Sequence, residues 1–121
     1  MKNMVVNGVE YIRADSVSEK AQEVDGMEYV LVRAKDAGVF VGYLESIEGD
    51  VVILRECRRL WYWSGASSIS EIAVNGVSSP EDCKFPVAVQ RSKILGCIEV
   101  LEVSKVAHEN IDNVEVWTQH G

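Results

Sequence analysis

Three apolar runs separated by very short turns occupy the stretch from Glu28 to Trp63, and they restrict the fold more than any other feature of the chain. Residues 28–34 (EYVLVRA) combine aromatic and β-branched side chains and are expected to form a strand. Lys35-Asp36-Ala37-Gly38 reads as a turn. Residues 39–47 (VFVGYLESI) read as a second strand, with Phe40 and Leu44 on one face and Val39, Val41 and Tyr43 on the other. After a tight turn at Glu48-Gly49-Asp50, residues 51–63 (VVILRECRRLWYW) read as a long third strand. Connections this short join antiparallel neighbours, because a parallel pair needs a crossover of a dozen or more residues.

Past Gly65 the period changes. Ser68-Ile69-Ser70-Glu71 has capping-box spacing, Ile69, Ile72 and Ala73 fall on one helical face, and Gly76 stops the run, so residues 68–75 are expected as a short helix. Residues 77–86 read as a loop. Val87–Val89 and Ile94–Val103, the latter split by Gly96, are expected as strands. Ser104 can cap a second short helix over 105–111, and Val114–Trp117 reads as a last short strand. The expected architecture is α+β: a strongly bent antiparallel sheet of about 5–7 strands with two short helices. Asn7-Gly8 is a hairpin signal within residues 3–13, and residues 14–27 are polar with a helical turn expected at Ser18–Glu23. Residues 1–27 are therefore taken as an arm and linker, and residues 28–121 as one domain.

Composition narrows the function. The chain has 121 residues, enough for one modest core, and 47% of them are hydrophobic. A net charge of -7 disfavours long nucleic acid as a partner, which calls for a basic face, but a local arginine cluster can still hold a small anion. Cys57, Cys83 and Cys97 make no CxxC or CxxH pair and are expected to be reduced thiols. With neither a signal pattern nor a long apolar run, a cytoplasmic protein is expected.

The chemistry-bearing residues concentrate at Arg55-Glu56-Cys57-Arg58-Arg59-Leu60-Trp61-Tyr62-Trp63. Strict strand alternation would place Arg55, Arg59, Trp61 and Trp63 on one face, with Leu54, Leu60, Tyr62 and Arg58 on the other. A face of guanidinium forks and indole planes suits a nucleotide-like ligand: the forks pair with phosphate and a flat base stacks on a ring. The Gly65-Ala66-Ser67-Ser68 helix start would add free N–H groups for an anion. The candidate ligand-binding residues are Arg33, Arg58, Arg59, Trp61, Trp63, Phe85 and Arg91. Against this stands the plainer reading that the indoles are core or interface, the arginines pair with acids such as Glu45 or Glu99, and the serines only cap. Lys84-Phe85-Pro86 is either a pocket lid or a buried loop anchor. No catalytic residue is assigned: a Cys83–His108 pair has nothing to orient the base, and no nucleophile elbow, phosphate loop or spaced His/Cys metal set is present. Neither a cofactor nor a metal is expected.

The runs Tyr29–Ser46, Arg58–Ser70 (RRLWYWSGASSIS), Cys83–Pro86 and Val114–Trp117 resemble a family of small bacteriophage and prophage proteins that includes the phage Thoeris anti-defence sponge proteins. That resemblance spans residues 28–117. It implies a protein that binds a cyclised ADP-ribose immune signal, made from NAD by a TIR-domain enzyme, and sequesters it without cleaving it. Some such proteins also capture cyclic oligonucleotides. It further implies a homo-oligomer, a dimer or a dimer-based hexamer, with pockets near subunit interfaces. Two other readings remain open. One is a phage structural or protein–protein interaction module using the Trp61/Trp63 face. The other is a small hydrolase of a nucleotide messenger, which would need a base or a metal.

Overall fold

The computed structural model describes residues 19–118. The Asn7-Gly8 hairpin and the start of the expected linker lie outside them. The described chain runs β1 (Tyr29–Ala34), β2 (Gly38–Glu48), β3 (Val51–Arg59), α1 (Ile69–Asn75), a 3-10 turn at Pro80–Asp82, β4 (Val89–Ile94), β5 (Cys97–Glu102) and α2 (Lys105–Asp112). The strands form one antiparallel sheet in the order β4-β3-β2-β1-β5, so the expected α+β arrangement is present with five strands and two short helices.

The connection between the two edge strands explains the curvature. β4 and β5 lie at opposite edges, yet only Leu95 and Gly96 separate them. Three virtual bonds span at most about 11 Å, whereas the edges of a flat five-stranded sheet would lie about 19 Å apart. The sheet must therefore curl until its edges meet at this corner. Two hydrogen bonds fix the corner: Lys35 N donates to Gly96 O and Cys97 N donates to Asp50 O, each at 2.9 Å. Away from the corner the edges are not paired, so the sheet is a half-barrel and not a closed one.

Each face of the sheet has its own core. The concave face buries Val30, Val32, Ala34, Phe40, Val52, Leu54, Cys57 and Ile94. The convex face buries Tyr29, Leu31 and Val41 under Ile72 and Ala73 of α1 and Ala107 and Ile111 of α2. β1 is covered on both sides, which is why its sequence is apolar at nearly every position. The alternation expected for β2 holds, with Phe40 and Leu44 in the concave core and Val39, Val41 and Tyr43 on the convex one.

Four expectations about the elements differ. β3 ends at Arg59, and of residues 60–63 only Tyr62 pairs, through a single bridge to Lys84. β4 is the polar segment Val89–Ile94 (VQRSKI), which shows no alternation because both faces of this edge strand are largely solvated. Val114–Trp117 contributes one bridge, Phe85 to Val116, instead of a strand. Residues 19–27 carry no helical turn but lie along the domain: Ala21 N donates to Val103 O, Lys105 N donates to Glu19 O, and Ala21 is buried. Both helices form as expected. Ser68 Oγ accepts from Glu71 N at 3.3 Å, while the Glu71 carboxylate reaches back to Ser67 N at 2.6 Å.

Candidate functional site

A bulge in β3 decides where the arginines go. Tyr43 pairs with Arg55 and Val41 with Arg58, so between these pairs the single residue Gly42 on β2 opposes two, Glu56 and Cys57, on β3. Glu56 absorbs the mismatch at φ 50, the left-handed region. Beyond it the alternation reverses. Arg55 pairs with the convex-face Tyr43, whereas Arg59 pairs with the concave-face Phe40. The shared face expected for Arg55 and Arg59 is therefore not formed.

The seven candidate residues separate into distinct environments. Arg58 is 8% exposed, and its guanidinium donates to Pro86 O, Phe85 O, Ile111 O and Val114 O at 2.7–3.0 Å. It ties β3 to the 85–86 loop and to the C-terminal end of α2, where a cation also meets the negative end of the helix dipole. Phe85 is 0% exposed and anchors its loop in the convex core. Neither presents its group as a ligand contact, because one is fully covered and the other is held by backbone carbonyls. Arg33 pairs with Glu99 at 3.1 Å. Arg91 grips Glu45 with two hydrogen bonds of 2.9 and 2.7 Å, and Arg55 Nε donates to the same carboxylate at 2.7 Å. These two guanidinium groups hold the Glu45 carboxyl at about 2, well below its ordinary range. Trp63 is half-buried against the convex core, while Trp61 is 64% exposed.

Arg59 is different. Its guanidinium lies 4.7 Å from the centroid of the Phe40 ring, and among the described residues it has no carboxylate partner. It forms one wall of a cleft of about 650 Å³ at the mouth of the half-barrel. The cleft is also lined by Phe40, by Asp36 and Ala37 of the β1–β2 turn, and by Ser92–Gly96 of β4 and the corner. Its polar groups are thus two cations, Arg59 and Lys93, with one hydroxyl and one carboxylate. Of the expected residues only Arg59 reaches it. Trp61, Trp63 and Ser67–Ser70 do not line it, and the N–H groups of Ser67 and Glu71 at the start of α1 are already met by Glu71 and Ser68. The residues missed from sequence, Phe40, Ser92 and Lys93, come together only because the sheet curls. Phe40 was legible as a core position, but nothing near Lys93 marked it.

Cys57 and Cys83 are not poised for nucleophilic chemistry. Cys57 and Cys83 are buried, and burial pushes both upward from the ordinary thiol range. Cys83 Sγ contacts the backbone of Ser64 and Ser79, while His108 Nε2 lies 3.1 Å from Asp112 Oδ2, so the two do not form a pair. Among the described residues no group of three or more His, Cys, Asp or Glu could hold a metal ion, and no helix is long and apolar enough to cross a membrane.

No curated protein and no solved structure matches the chain. One family model does, over residues 27–111, a span that begins two residues before β1 and ends within α2. With most of the sheet and both helices inside that match, the chain belongs to the family described as Domain of unknown function (DUF6948).

Proposed function

We propose that this protein is a non-catalytic receptor that captures a small anionic ligand of the nucleotide class in the cleft at the half-barrel mouth. The observation that carries this reading is the state of Arg59. Of the five arginines in the described residues, Arg33, Arg55 and Arg91 are paired with carboxylates and Arg58 with carbonyls. Arg59 alone lacks such a partner among them, and it shares its cleft with Lys93. A guanidinium fork backed by the Phe40 ring is pre-oriented, so little entropy is lost when it meets a phosphate. Its plane also offers a surface on which a base can stack. Capture needs no general base, and the cleft's polar lining of Asp36, Arg59, Ser92 and Lys93 suits holding a ligand.

The resemblance to the phage Thoeris anti-defence sponges makes cyclised ADP-ribose the first compound to try, followed by cyclic oligonucleotides. Binding should raise the melting temperature in proportion to ligand concentration over Kd, and the ligand should return intact after heat denaturation. Arg59→Ala should weaken binding about tenfold or more, the scale of a lost charge-assisted hydrogen bond, while its own melting temperature stays near that of the wild type. Recovery of a cleaved product would replace capture by catalysis.

A second reading has its own support. Trp61, Tyr62, Val87 and Val116 are large apolar side chains with half or more of their surface exposed or nearly so. Aromatic groups of this kind are enriched at protein interfaces. A host protein retained in stoichiometric amount, lost on Trp61→Ala and unaffected by Arg59→Ala, together with no thermal response to any nucleotide, would favour an interaction module.

A further inference from the structure

A second recess lies on the other side of the sheet, away from the cleft at Arg59. It encloses about 260 Å³ between the convex face and α2, and is lined by Tyr29, Tyr43, Glu56, Arg58, Ala88, His108 and Asp112. Three rings build its wall. Tyr29 and His108 stack with centroids 3.7 Å apart at 20°, and Tyr43 meets both edge-on, at 5.1 Å and 5.9 Å. The Glu56 bulge brings a carboxylate to this face, whereas continued alternation from Leu54 would have sent it to the concave core. Among the described residues Glu56 has no ion-pair partner.

Tyr29 supplies an independent sign of a ligand. It is 6% exposed, it lines the recess, and among the described residues its hydroxyl makes no hydrogen bond. A buried unpaired hydroxyl costs roughly 1–3 kcal/mol, and a ligand donor would satisfy its oxygen. The charges facing the recess are two carboxylates, Glu56 and Asp112, the latter with one oxygen 3.1 Å from His108 Nε2, against one guanidinium, Arg58, whose donors already serve four carbonyls. Burial raises both phenols above their ordinary range, and Asp112 is the next contributor for each, followed at Tyr43 by Glu56. The potential in the recess therefore favours a cation. A metal ion fits less well, since no three ligating side chains converge here.

We propose that this recess binds a small organic ammonium group, with Glu56 and Asp112 meeting its charge, Tyr29 Oη accepting one N–H, and the Tyr43 and His108 rings flanking its carbon atoms. Aromatic faces attract such cations through the ring quadrupole, and the carboxylates add a Coulombic term in a partly desolvated site. The arrangement is independent of the cleft at Arg59, which lies on the concave side.

The test is a titration of isotopically labelled protein with butylammonium chloride and with tetramethylammonium chloride, against sodium chloride at matched ionic strength. The ring resonances of Tyr43 and His108 report occupancy. Saturable shifts are expected with the two organic cations and not with sodium. Glu56→Gln should weaken both about tenfold or more. Tyr29→Phe should weaken butylammonium several-fold yet leave tetramethylammonium unchanged, because the latter has no N–H to donate. Absence of saturable shifts in the wild type overturns the proposal, as does wild-type binding of butylammonium by both variants.

Discussion

The Arg58 guanidinium sits among four backbone carbonyls that no other side chain satisfies, two from the 85–86 loop and two from the end of α2 and the residue after its cap. Desolvation lowers its pKa, but the carbonyl dipoles converge on the charge. Arg58→Ala would leave Pro86 O and Val114 O without their donor, whereas Phe85 O and Ile111 O keep Trp117 N and Val114 N, and should destabilise the fold by about 2–6 kcal/mol, roughly 1–3 for each buried carbonyl left unpaired. Chemical denaturation would measure it. Arg58→Lys should recover little, since one ammonium cannot reproduce a planar fork. Gly42 is fixed by a different constraint. A Cβ there would lie 2.9 Å from Arg55 O and 3.2 Å from Cys57 Cα, both backbone atoms of the bulged strand. Gly42→Ala should cost about 1–3 kcal/mol through overpacking, read as a lower denaturation midpoint with an unchanged slope. From sequence, Arg58 and Arg59 fall on opposite faces of the strand, yet both are candidate ligand contacts. Their different roles depend on which carbonyls and which ring lie opposite, and neither is encoded nearby.

At the scale of elements, the second helix shows how a cap can also serve packing. Ser104 Oγ accepts from Ala107 N at 3.0 Å and donates to Val74 O at 2.7 Å, so one hydroxyl starts α2 and holds the end of α1 against it. Ser104→Ala should therefore cost about 1–2 kcal/mol, at the upper end for a cap. Helical content at room temperature should be nearly unchanged and the melting temperature lower. The bulge is the element with the larger functional consequence. It keeps Leu54 and Cys57 both in the concave core, sends Arg58 to the helices and Arg59 to the cleft mouth. Alternation is a sound guide along a strand only until a residue is inserted against its partner. The partner register that reveals the insertion belongs to β2, about a dozen residues earlier in the chain.

For the whole molecule, strand order and register put Glu45 of β2, Arg55 of β3 and Arg91 of β4 within ion-pair reach of one another. The trio crosses three adjacent strands on the partly exposed convex side. Its pH dependence has a definite sign. The folded-state carboxyl is held at about 2 against an ordinary 4.5, so its stabilisation is fully present above pH 4.5 and disappears as the pH falls toward 2. The melting temperature of the wild type should exceed that of Glu45→Gln near neutrality. The gap should close across that interval, and added salt should narrow it at every pH. A gap that persists at the acid end would mean the carboxylate acts only through uncharged packing.

Local pattern was enough to determine the meander of β1 to β3, the two capped helices and the face assignment over residues 39–44 of β2. Each rests on interactions within a few residues: a turn, a cap or a period of two. The polar edge strand β4, the bulge at Glu56, the cleft joining Arg59 to Lys93 and the recess joining Tyr29 to His108 were decided by tertiary structure alone. They arise where a two-residue link forces distant edges of the sheet together and where a helix closes over one face. Contacts of that kind depend on partners far apart in the chain, and no local window contains both sides of them.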